Sequence, residues 1–555
     1  MKKLKITLLI TICFISITAI AQSPSDLIKA NQSFNNKDWN KAVELYRNIV
    51  IENPYNGNNW FKLGFAESNL KNYKKSINAY KKAVESGNEI ATSYYNIACN
   101  YAILNDVENA NHYLKLAITN GLNNRQNYLS KDEDLKNIRD TKEFKQLNIP
   151  NIQEGISRVD GWTKDINYLK HQFELTHYQL HDKYPLTEWN TDFKQLKAII
   201  HKLEDYEIVV ELMKIAHKTG AGHSYIIPPF FGKNHFHQIP IELFEFSDGI
   251  FIRKTLPKYK SLLGKEIIAI NNVSIEELLS KVSTVANPEN KIMNRWTSLF
   301  YATLPEVLKS FNSAKDLSKT IIHYKEDNGS KKVLTVENQL FSPEIITSRG
   351  TPKGWISIDT GVKPLYLSNP EKKFWYKYLN DSKVVYCQVN EIRNDKDKSL
   401  KEFGEDLVKF INENEVNSLV LDLRLNNGGN GQLNRDFLVS LIQCKKINKP
   451  GKFFTIIGNK TFSAAILLAT QLDQFTETIF IGEPTGGRPS HVGDDNQISL
   501  PYSGLLASSA KTFWQSPVSY DDRNWIAPEI YIKPSSEQYK KGNDSCLDLL
   551  LKMFQ

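Results

Sequence analysis

From Val384 to Ile481 the chain alternates short apolar runs with longer stretches whose apolar residues recur every three or four positions. Short apolar runs are typical of buried strands, and the longer spacing is typical of helices with one packed face. The pattern predicts four strands, namely Val384 to Asn390, Leu419 to Leu423, Phe453 to Ile457 and Thr478 to Ile481. Helices between such strands predict a mainly parallel sheet, whose functional loops follow the carboxyl ends of the strands.

The N-terminal part of the chain carries a repeating pattern. Small residues recur 34 positions apart (64 − 30 and 98 − 64) at Ala30, Gly64 and Ala98. Two further series keep the same period, one of small residues (Ala42, Ser76, Ala110) and one of bulky residues (Tyr46, Tyr80, Leu114). Small residues let paired helices approach, and bulky residues fill the seam between neighbouring repeats. The pattern resembles tetratricopeptide repeats, which implies an all-α arm that either binds a partner protein or is merely architectural, followed by an end helix from Asp132 to Leu147.

Two other patterns separate the repeats from the alternating region. From Trp162 to His217 the helical spacing of apolar residues predicts two or three helices. From about residue 236 to 340 the pattern changes to short strands and loops. Within it, a glycine turn, an apolar strand and a helix from Leu263 to Leu279 resemble the centre of a diverged PDZ-type domain. Domains of that type usually bind a peptide by strand addition.

The start of the chain has the features of a secretion signal. Three of the first five residues are lysines, an apolar run follows from Ile6 to Ile20, and Ala19-Ile20-Ala21 is a small-x-small cleavage site. We therefore expect cleavage near Ala21 and export to the periplasm or the exterior. We expect no transmembrane segment in the mature chain, because no later run is long and apolar enough to span a bilayer.

The charge and the cysteines of the chain bear on which partners and which kinds of site it can have. The formal net charge is 70 − 62 = +8, and the charges are interspersed, which argues against a nucleic-acid surface. The cysteines beyond the signal lack metal-ligand spacing, and we expect buried free thiols rather than disulfides: Cys99, Cys387, Cys444 and Cys546. No metal and no organic cofactor is expected.

The most informative stretch follows the apolar run that ends at Ile457. Ser463 precedes an apolar helical segment, Ala464 to Leu472, so its hydroxyl would lie at the positive end of the helix dipole beside unpaired backbone N–H groups. That position suits an oxyanion, although serine also serves there as a simple helix N-cap. Gly428 and Gly429 end the preceding loop and can bring a backbone N–H close, with Ala464 as the second donor.

Two other positions bear on the chemistry. His223 stands in the turn Gly220-Ala-Gly-His-Ser, where small neighbours leave an imidazole accessible, and it is a candidate general base. The other histidines have no such setting, as at His171, His177, His181, His235 and His237. Asp422 and Arg424 are expected to pair with each other or with loop backbone rather than to do chemistry.

Three motifs together resemble the tail-specific (C-terminal processing) serine peptidase family, which includes the tricorn core protease. They are Asp422-Leu-Arg-Leu-Asn-Asn-Gly-Gly, Thr461-Phe-Ser-Ala-Ala and Gly482-Glu-Pro-Thr-Gly-Gly. The resemblance runs roughly from Trp162 to the C-terminus and implies an α/β catalytic domain of the ClpP/crotonase-like kind. It also implies that Ser463 is the nucleophile, that Gly428 or Gly429 forms the oxyanion hole with Ala464, and that the PDZ-like part binds substrate.

The family has two ways to activate its serine. One branch uses a lysine where this chain has Arg488, and a guanidinium stays protonated, so Arg488 would contact substrate or brace its loop instead. The other branch uses a histidine in a Gly-His turn, which Gly222-His223 matches. By resemblance the acid of the triad is Asp522, with Asp521 and Asp494 as competitors. Two departures from the pattern are Ile466, where many relatives carry Glu, and the glycine before His223.

The sequence thus predicts a multidomain chain: a signal peptide (1–21), a tetratricopeptide arm (22–150), a helical part (151–235), a PDZ-like α+β domain (236–345) and an α/β catalytic domain (346–555). The function it predicts is an exported serine-type peptidase acting on a peptide or protein substrate. Two alternatives stay open. One is a catalytically inactive relative that binds a peptide or an apolar ligand, and the other is a scaffold built on the repeats.

Overall fold

The computed structural model of the protein describes residues 24–122, 129, 131–148, 152–232, 234–358, 361 and 363–554. The predicted secretion signal, 1–21, lies outside the described residues. The chain divides into two compact units, Met1–Pro150 and Asn151–Gln555. Within the described residues, no helix has the length and apolar character needed to cross a membrane.

The first unit is built from paired antiparallel helices. Its bounds are Pro24–Asn35, Trp39–Glu52, Gly57–Asn69, Tyr73–Glu85, Ile90–Ile103 and Val107–Thr119. The small residues of the repeat lie between paired helices: a Cβ on Gly64 would stand 3.0 Å from the Tyr80 ring. The Ser76 hydroxyl donates to the carbonyl of Gly64 at 2.7 Å and accepts from Asn100 Nδ2 at 2.8 Å. The helical repeat predicted from the 34-residue period is therefore confirmed.

The single end helix expected from Asp132 to Leu147 is wrong. This stretch forms a 3-10 helix, Glu133–Ile138, and a separate α-helix, Lys142–Leu147. The break follows from Thr141, whose hydroxyl accepts the backbone N–H of Phe144 at 3.1 Å and so caps a new helix.

The second unit begins with a helical part, Arg158–Thr176, Leu180–Lys183, Leu186–Ile199 and Asp205–His217. Trp162, Phe173, Trp189 and Phe193 are all buried in it, as their helical spacing predicts. The last of these helices runs directly into the turn that carries His223.

Short and long strands fill the rest of the unit. In chain order they are β1 (Tyr225–Ile226), β2 (His237–Gln238), β3 (Ile241–Phe246), β4 (Gly249–Thr255), β5 (Glu266–Ile270), β6 (Val273–Ser274), β7 (Lys319–Lys325), β8 (Lys331–Glu337), β9 (Gln339–Leu340), β10 (Ile356–Ser357), β11 (Phe374–Leu379), β12 (Val384–Val389), β13 (Ser418–Asp422), β14 (Phe453–Ile457), β15 (Ile479–Gly482), β16 (His491–Ser499), β17 (Leu506–Trp514) and β18 (Ile530–Tyr531).

A six-stranded sheet in the order β11-β12-β13-β14-β15-β18 forms the centre of the unit. Strands β12 to β15 are parallel and match the four predicted strands to within two residues. One face packs on Leu400–Glu413, Asn434–Gln443 and Ala464–Phe475, and the other on the C-terminal helix Ser545–Lys552. The antiparallel edge strand β11 was not predicted, since its alternation is too short to stand out.

A seven-stranded antiparallel sheet combines β3 to β8 with β10. Helices Ile275–Val282, Lys291–Tyr301 and Pro305–Ser310 accompany it, and the remaining helices of the unit are Glu344–Thr347 and Ser536–Lys540. Its strand β10 lies beyond the boundary predicted at residue 345. The region is α+β, and its likeness to a PDZ-type domain stays a prediction.

A three-stranded sheet, β1-β17-β16, brings distant parts of the chain to the turn that carries His223. Tyr225 of β1 pairs with Ser508 of β17, so the turn before β1 lies beside this hairpin. The hairpin begins with His491, which pairs with Trp514. Residues far apart in sequence are thus collected at one place, next to the carboxyl ends of β13 and β14.

Candidate active site

Ser463 lies in a sharp turn between a strand and a helix. Strand β14 ends at Ile457, and the next loop is held down by Thr461, whose hydroxyl donates to the carbonyl of Leu423 and accepts from the N–H of Gly458, both at 3.1 Å. The N–H of Phe462 donates to the carbonyl of Asn426 at 3.2 Å. The helix Ala464–Phe475 follows at once.

The backbone of Ser463 is strained. Its φ is 53° and its ψ is −127°, a left-handed conformation that costs a non-glycine residue about 1–3 kcal/mol. Its side chain makes no capping hydrogen bond to the helix. The simple N-cap interpretation is therefore wrong, and the turn has the form of a nucleophile elbow although the sequence lacks a G-x-S-x-G motif.

The side chains of His223 and Ser463 meet. Nε2 of His223 lies 3.1 Å from Oγ of Ser463, although the two residues are 240 positions apart. The His223 turn has no room for larger residues, because a Cβ on Gly222 would stand 2.8 Å from Oε2 of Glu289. The structure thus joins a hydroxyl to the base that could deprotonate it.

Two aromatic rings hold the His223 imidazole. It stacks on Phe462 with ring centroids 4.7 Å apart and planes at 20°, and on His491 at 5.8 Å and 13°. His491 is fixed in turn by its Nδ1, which lies 3.0 Å from the carbonyl oxygen of Arg488. The ring that faces Ser463 is therefore oriented by a clamp of Phe462 and His491.

Burial keeps His223 neutral. Desolvation lowers the pKa of His223 to about 4, and the Asp494 carboxylate and the Val492 backbone raise it only in part. Burial likewise lowers the pKa of His491 to about 4, and the neighbouring His223 adds to that effect. A neutral imidazole has a lone pair to accept a proton, so His223 is in the form of a general base throughout the neutral pH range.

The clamp makes a distinct prediction for His491. We expect His491→Ala to lower kcat by about tenfold to a hundredfold, because a loosened imidazole loses its alignment with Ser463. His491→Phe, which keeps a flat ring, should stay within about threefold of wild type. Steady-state kinetics on both variants measure this, and equal losses in the two would contradict a clamping role.

The expected acid is not in place. Asp522 is exposed and makes no hydrogen bond or ion pair within the described residues, and Nδ1 of His223 is buried there without a carboxylate as a hydrogen-bond partner. Asp521 is bound instead to Arg523 at 2.9 Å and to the Ser516 hydroxyl at 2.9 Å. That ion pair fixes the loop and leaves Asp522 facing solvent. Of the three candidate acids, Asp494 alone acts on His223, through its charge.

The predicted oxyanion donors surround the serine. A Cβ on Gly428 would lie 2.6 Å from Cβ of Ser463, and one on Gly429 would lie 2.2 Å from the carbonyl oxygen of Ile392, so neither position tolerates a side chain. The N–H of Gly428 is already used, since it donates to Asn426 Oδ1 at 3.0 Å. The N–H groups of Gly429 and Ala464 donate to no group within the described part of the chain. They are the pair available for an oxyanion.

Sequence reasoning missed Glu289. Its Oε2 accepts the N–H of Gly222 at 2.8 Å, and Asn287 Nδ2 donates to the carbonyl of the same residue at 2.9 Å. Burial raises the pKa of Glu289 to about 7, against the lowering effects of the Gly222 N–H and of Arg488. Glu289 thus braces the His223 turn from a loop, Asn287-Pro-Glu-Asn, in which no local pattern indicates such a role. Phe462, His491 and Asn426 were missed for the same reason.

Arg488 lies between these groups. Its carbonyl fixes His491, its charge acts on Glu289, and its buried Nε has no hydrogen-bond partner in the described residues. The pairing predicted for Asp422 and Arg424 is confirmed, with Arg424 Nη2 2.7 Å from Asp422 Oδ2 and a further pair to Asp544 at 2.9 Å. The prediction of buried free cysteines is confirmed too.

Comparison with known proteins supports the two parts of this fold separately. The tetratricopeptide repeat family model matches residues 58–86 and 91–120. A comparison with curated protein sequences finds no match.

Among solved structures, mature CPAF complexed with lactacystin is similar to 71% of this chain over 98% of its own length, with a TM-score of 0.53 and 12% identity. Mature CPAF alone is similar to 71% of this chain over 96% of its own length, with a TM-score of 0.50 and 12% identity. The photosystem II D1 C-terminal processing protease aligns with 70% of the chain and 99% of its own, with a TM-score of 0.34 and 9% identity, too low to carry an argument.

The chain therefore combines tetratricopeptide repeats with a unit that has the fold of mature CPAF. The resemblance to the tail-specific peptidases, inferred from three motifs around the site, is confirmed at the level of the fold.

Proposed function

We propose that this protein is a serine-type peptidase that hydrolyses peptide bonds through Ser463 with His223 as its base. The observation that carries the proposal is the 3.1 Å contact between Ser463 Oγ and His223 Nε2 at a strained turn before a helix. Nucleophilic acyl transfer needs a hydroxyl, a base and paired donors for the oxyanion, and the residues around this contact supply all three.

The reaction follows from these positions. His223 Nε2 takes the proton of the Ser463 hydroxyl as Oγ bonds to the substrate carbonyl carbon, and the carbonyl π pair moves onto oxygen. The N–H groups of Gly429 and Ala464 stabilise that oxyanion. As it collapses, the C–N bond breaks and the protonated imidazole gives its proton to the leaving amine. Water, deprotonated by the same imidazole, then hydrolyses the acyl-enzyme.

The imidazole acts without a hydrogen-bonded carboxylate in this proposal. Stacking on Phe462 and His491 supplies the orientation that an acid supplies in a triad. The imidazolium formed during the reaction is stabilised by the nearby charge of Asp494. We assign Asp522 no step. Arg488, whose charge acts on Glu289, is the residue we propose to contact substrate. The antiparallel sheet of residues 241–357 is the proposed peptide-binding module.

The strain at Ser463 favours a peptidase over a binding-only relative. A protein that only binds a peptide gains nothing from a serine held at φ 53° against a neutral imidazole, and such strain persists where it serves a mechanism. A scaffold built on the repeats would need neither feature.

Proteolysis itself is tested by mixing the full chain with defined peptides and mapping the products by mass spectrometry. New termini should appear in proportion to time and enzyme. The rate should be unchanged by a metal chelator, because no step uses a metal. Absence of any cleavage with intact, folded protein would refute the proposal.

We also propose that the chain is exported after cleavage near Ala21, and that the repeat arm binds a protein partner. Deletion of residues 23–147 should leave hydrolysis of short peptides within about twofold, because the arm has its own buried core. Peptidase assays on the truncated and full chains measure this. A truncated enzyme that is folded but inactive on short peptides would mean that the arm contributes to the site.

A further inference from the structure

A cationic cavity of about 110 Å³ lies beside the catalytic loops, at the carboxyl ends of the central parallel strands. Neither Ser463 nor His223 lines it. It is bounded on one side by the loops that follow β13, β14 and β15, and on the other by strands of the antiparallel sheet. Six cationic side chains line it: Arg253, Lys254, Arg349, Lys363, Arg424 and Lys460.

Most of these cations have carboxylate partners of their own. Arg253 and Lys254 share Glu242, the second at 2.8 Å. Burial alone would raise the pKa of Glu242, but these two cations outweigh that effect and lower the pKa to about 2. The carboxylate therefore stays ionised and paired with Arg253 and Lys254.

The other two guanidinium groups, those of Arg349 and Arg424, are paired as well. Arg349 lies 3.1 Å from Glu391, and Arg424 is held by two aspartates. Glu483 also lines the cavity, but it forms no ion pair with any of the described residues, and burial raises its pKa to about 7.

Lys460 is different. Within the described residues it forms neither a hydrogen bond nor an ion pair, and its Nζ lies 5.2 Å from the centre of the Trp296 ring. Burial, together with the charges of Arg253, Lys254 and Arg349, lowers its pKa to about 7 against the opposing effect of Glu242. At neutral pH the amine is therefore partly neutral, and an anion beside it would favour its charged form, since buried charges in proteins are paired.

We propose that this cavity binds a small oxyanion, a carboxylate or a phosphate, and that Lys460, which lines it, is one of the ligands. The volume exceeds that of a single water site several-fold, which leaves room for such an ion. The bound anion would connect two catalytic loops, because Lys460 stands three residues before Ser463 and Arg424 stands four residues before Gly428. The proposal does not rest on peptidase activity. Binding is measured on the Ser463→Ala chain, so that the result for anion binding is independent of the result for peptidase activity.

The test is the reactivity of Lys460 toward an amine-acylating reagent, read by peptide mass spectrometry at constant ionic strength. Inorganic phosphate and acetate are titrated in separate arms, with chloride as the reference. A bound anion raises the pKa of Lys460 and shields it, so saturating anion should slow its labelling by about tenfold or more, one pKa unit being tenfold in the neutral fraction. Protection by phosphate alone identifies a phosphate site, and protection by acetate identifies a carboxylate site.

A matched pair of variants tests the assignment by thermal unfolding. Lys460→Met should abolish the anion-dependent rise in Tm, whereas Lys331→Met, on an exposed strand position far along the chain, should keep it. Should Lys460→Met fail to fold, the labelling of the Ser463→Ala chain, which keeps Lys460, still decides. No saturable protection of Lys460 by either anion, or equal rises in Tm for both variants, would overturn the proposal.

Discussion

Replacing Ser463 with alanine is expected to reduce peptide hydrolysis to background. The hydroxyl is the group of this residue that meets Nε2 of His223, and without it no acyl-enzyme can form. Stability should change little, because the Ser463 side chain makes no capping hydrogen bond whose loss would weaken the helix. The measurement is kcat/KM on a cleaved peptide together with Tm, which should stay within a few degrees of wild type.

Ser440→Ala is the matched control. Ser440 is a half-buried helical serine whose hydroxyl donates to the carbonyl of Asp436 in the preceding turn, so its loss should leave activity intact. Hydrolysis at the wild-type rate by the Ser463→Ala chain would refute the proposed mechanism.

The second large effect concerns the base. His223→Ala should lower kcat by about 10³-fold or more while KM stays nearly constant, because in the proposed mechanism the imidazole moves protons and does not hold substrate. His201→Ala, at an exposed position, is the control and should behave as wild type. Near-normal kcat in His223→Ala, combined with its loss in Arg488→Ala, would place the base elsewhere.

The pH dependence follows from burial. The sequence alone predicts that kcat/KM rises with pH through an apparent pKa of about 6.5, the ordinary pKa of histidine. Because burial lowers the pKa of His223 to about 4, activity per folded molecule should instead persist below pH 6 and fall as pH drops through about 4. Below the unfolded pKa of about 6.5 the unfolded chain takes up a proton that folded His223 does not, so stability also declines as pH falls. The folded fraction must therefore be measured alongside kcat/KM.

Much of this architecture could be predicted from local patterns. The parallel strands β12 to β15 are continuous apolar runs, and the repeats carry a fixed period of small and bulky residues. Ser463 and His223 could be proposed because glycine-rich or strand-to-helix settings mark them in the sequence. Their contact across 240 positions could be expected only through resemblance to a family.

What could not be predicted depends on packing between distant segments. Phe462 and His491 act by stacking on a ring from another element, and neither has a sequence signal. Glu289 braces the His223 turn from a loop 67 positions away. The acid was misplaced because the Asp521–Arg523 ion pair, formed by immediate neighbours, decides which way that loop faces.

The most direct test of an activated serine is labelling with a fluorophosphonate probe, which reacts with the nucleophile of serine hydrolases and not with ordinary hydroxyls. The wild-type chain should be modified stoichiometrically at Ser463, as mapped by peptide mass spectrometry, and the His223→Ala chain should react at least about 10²-fold more slowly because its hydroxyl lacks a base. No modification of the folded wild-type chain, or modification at another serine, would contradict the account.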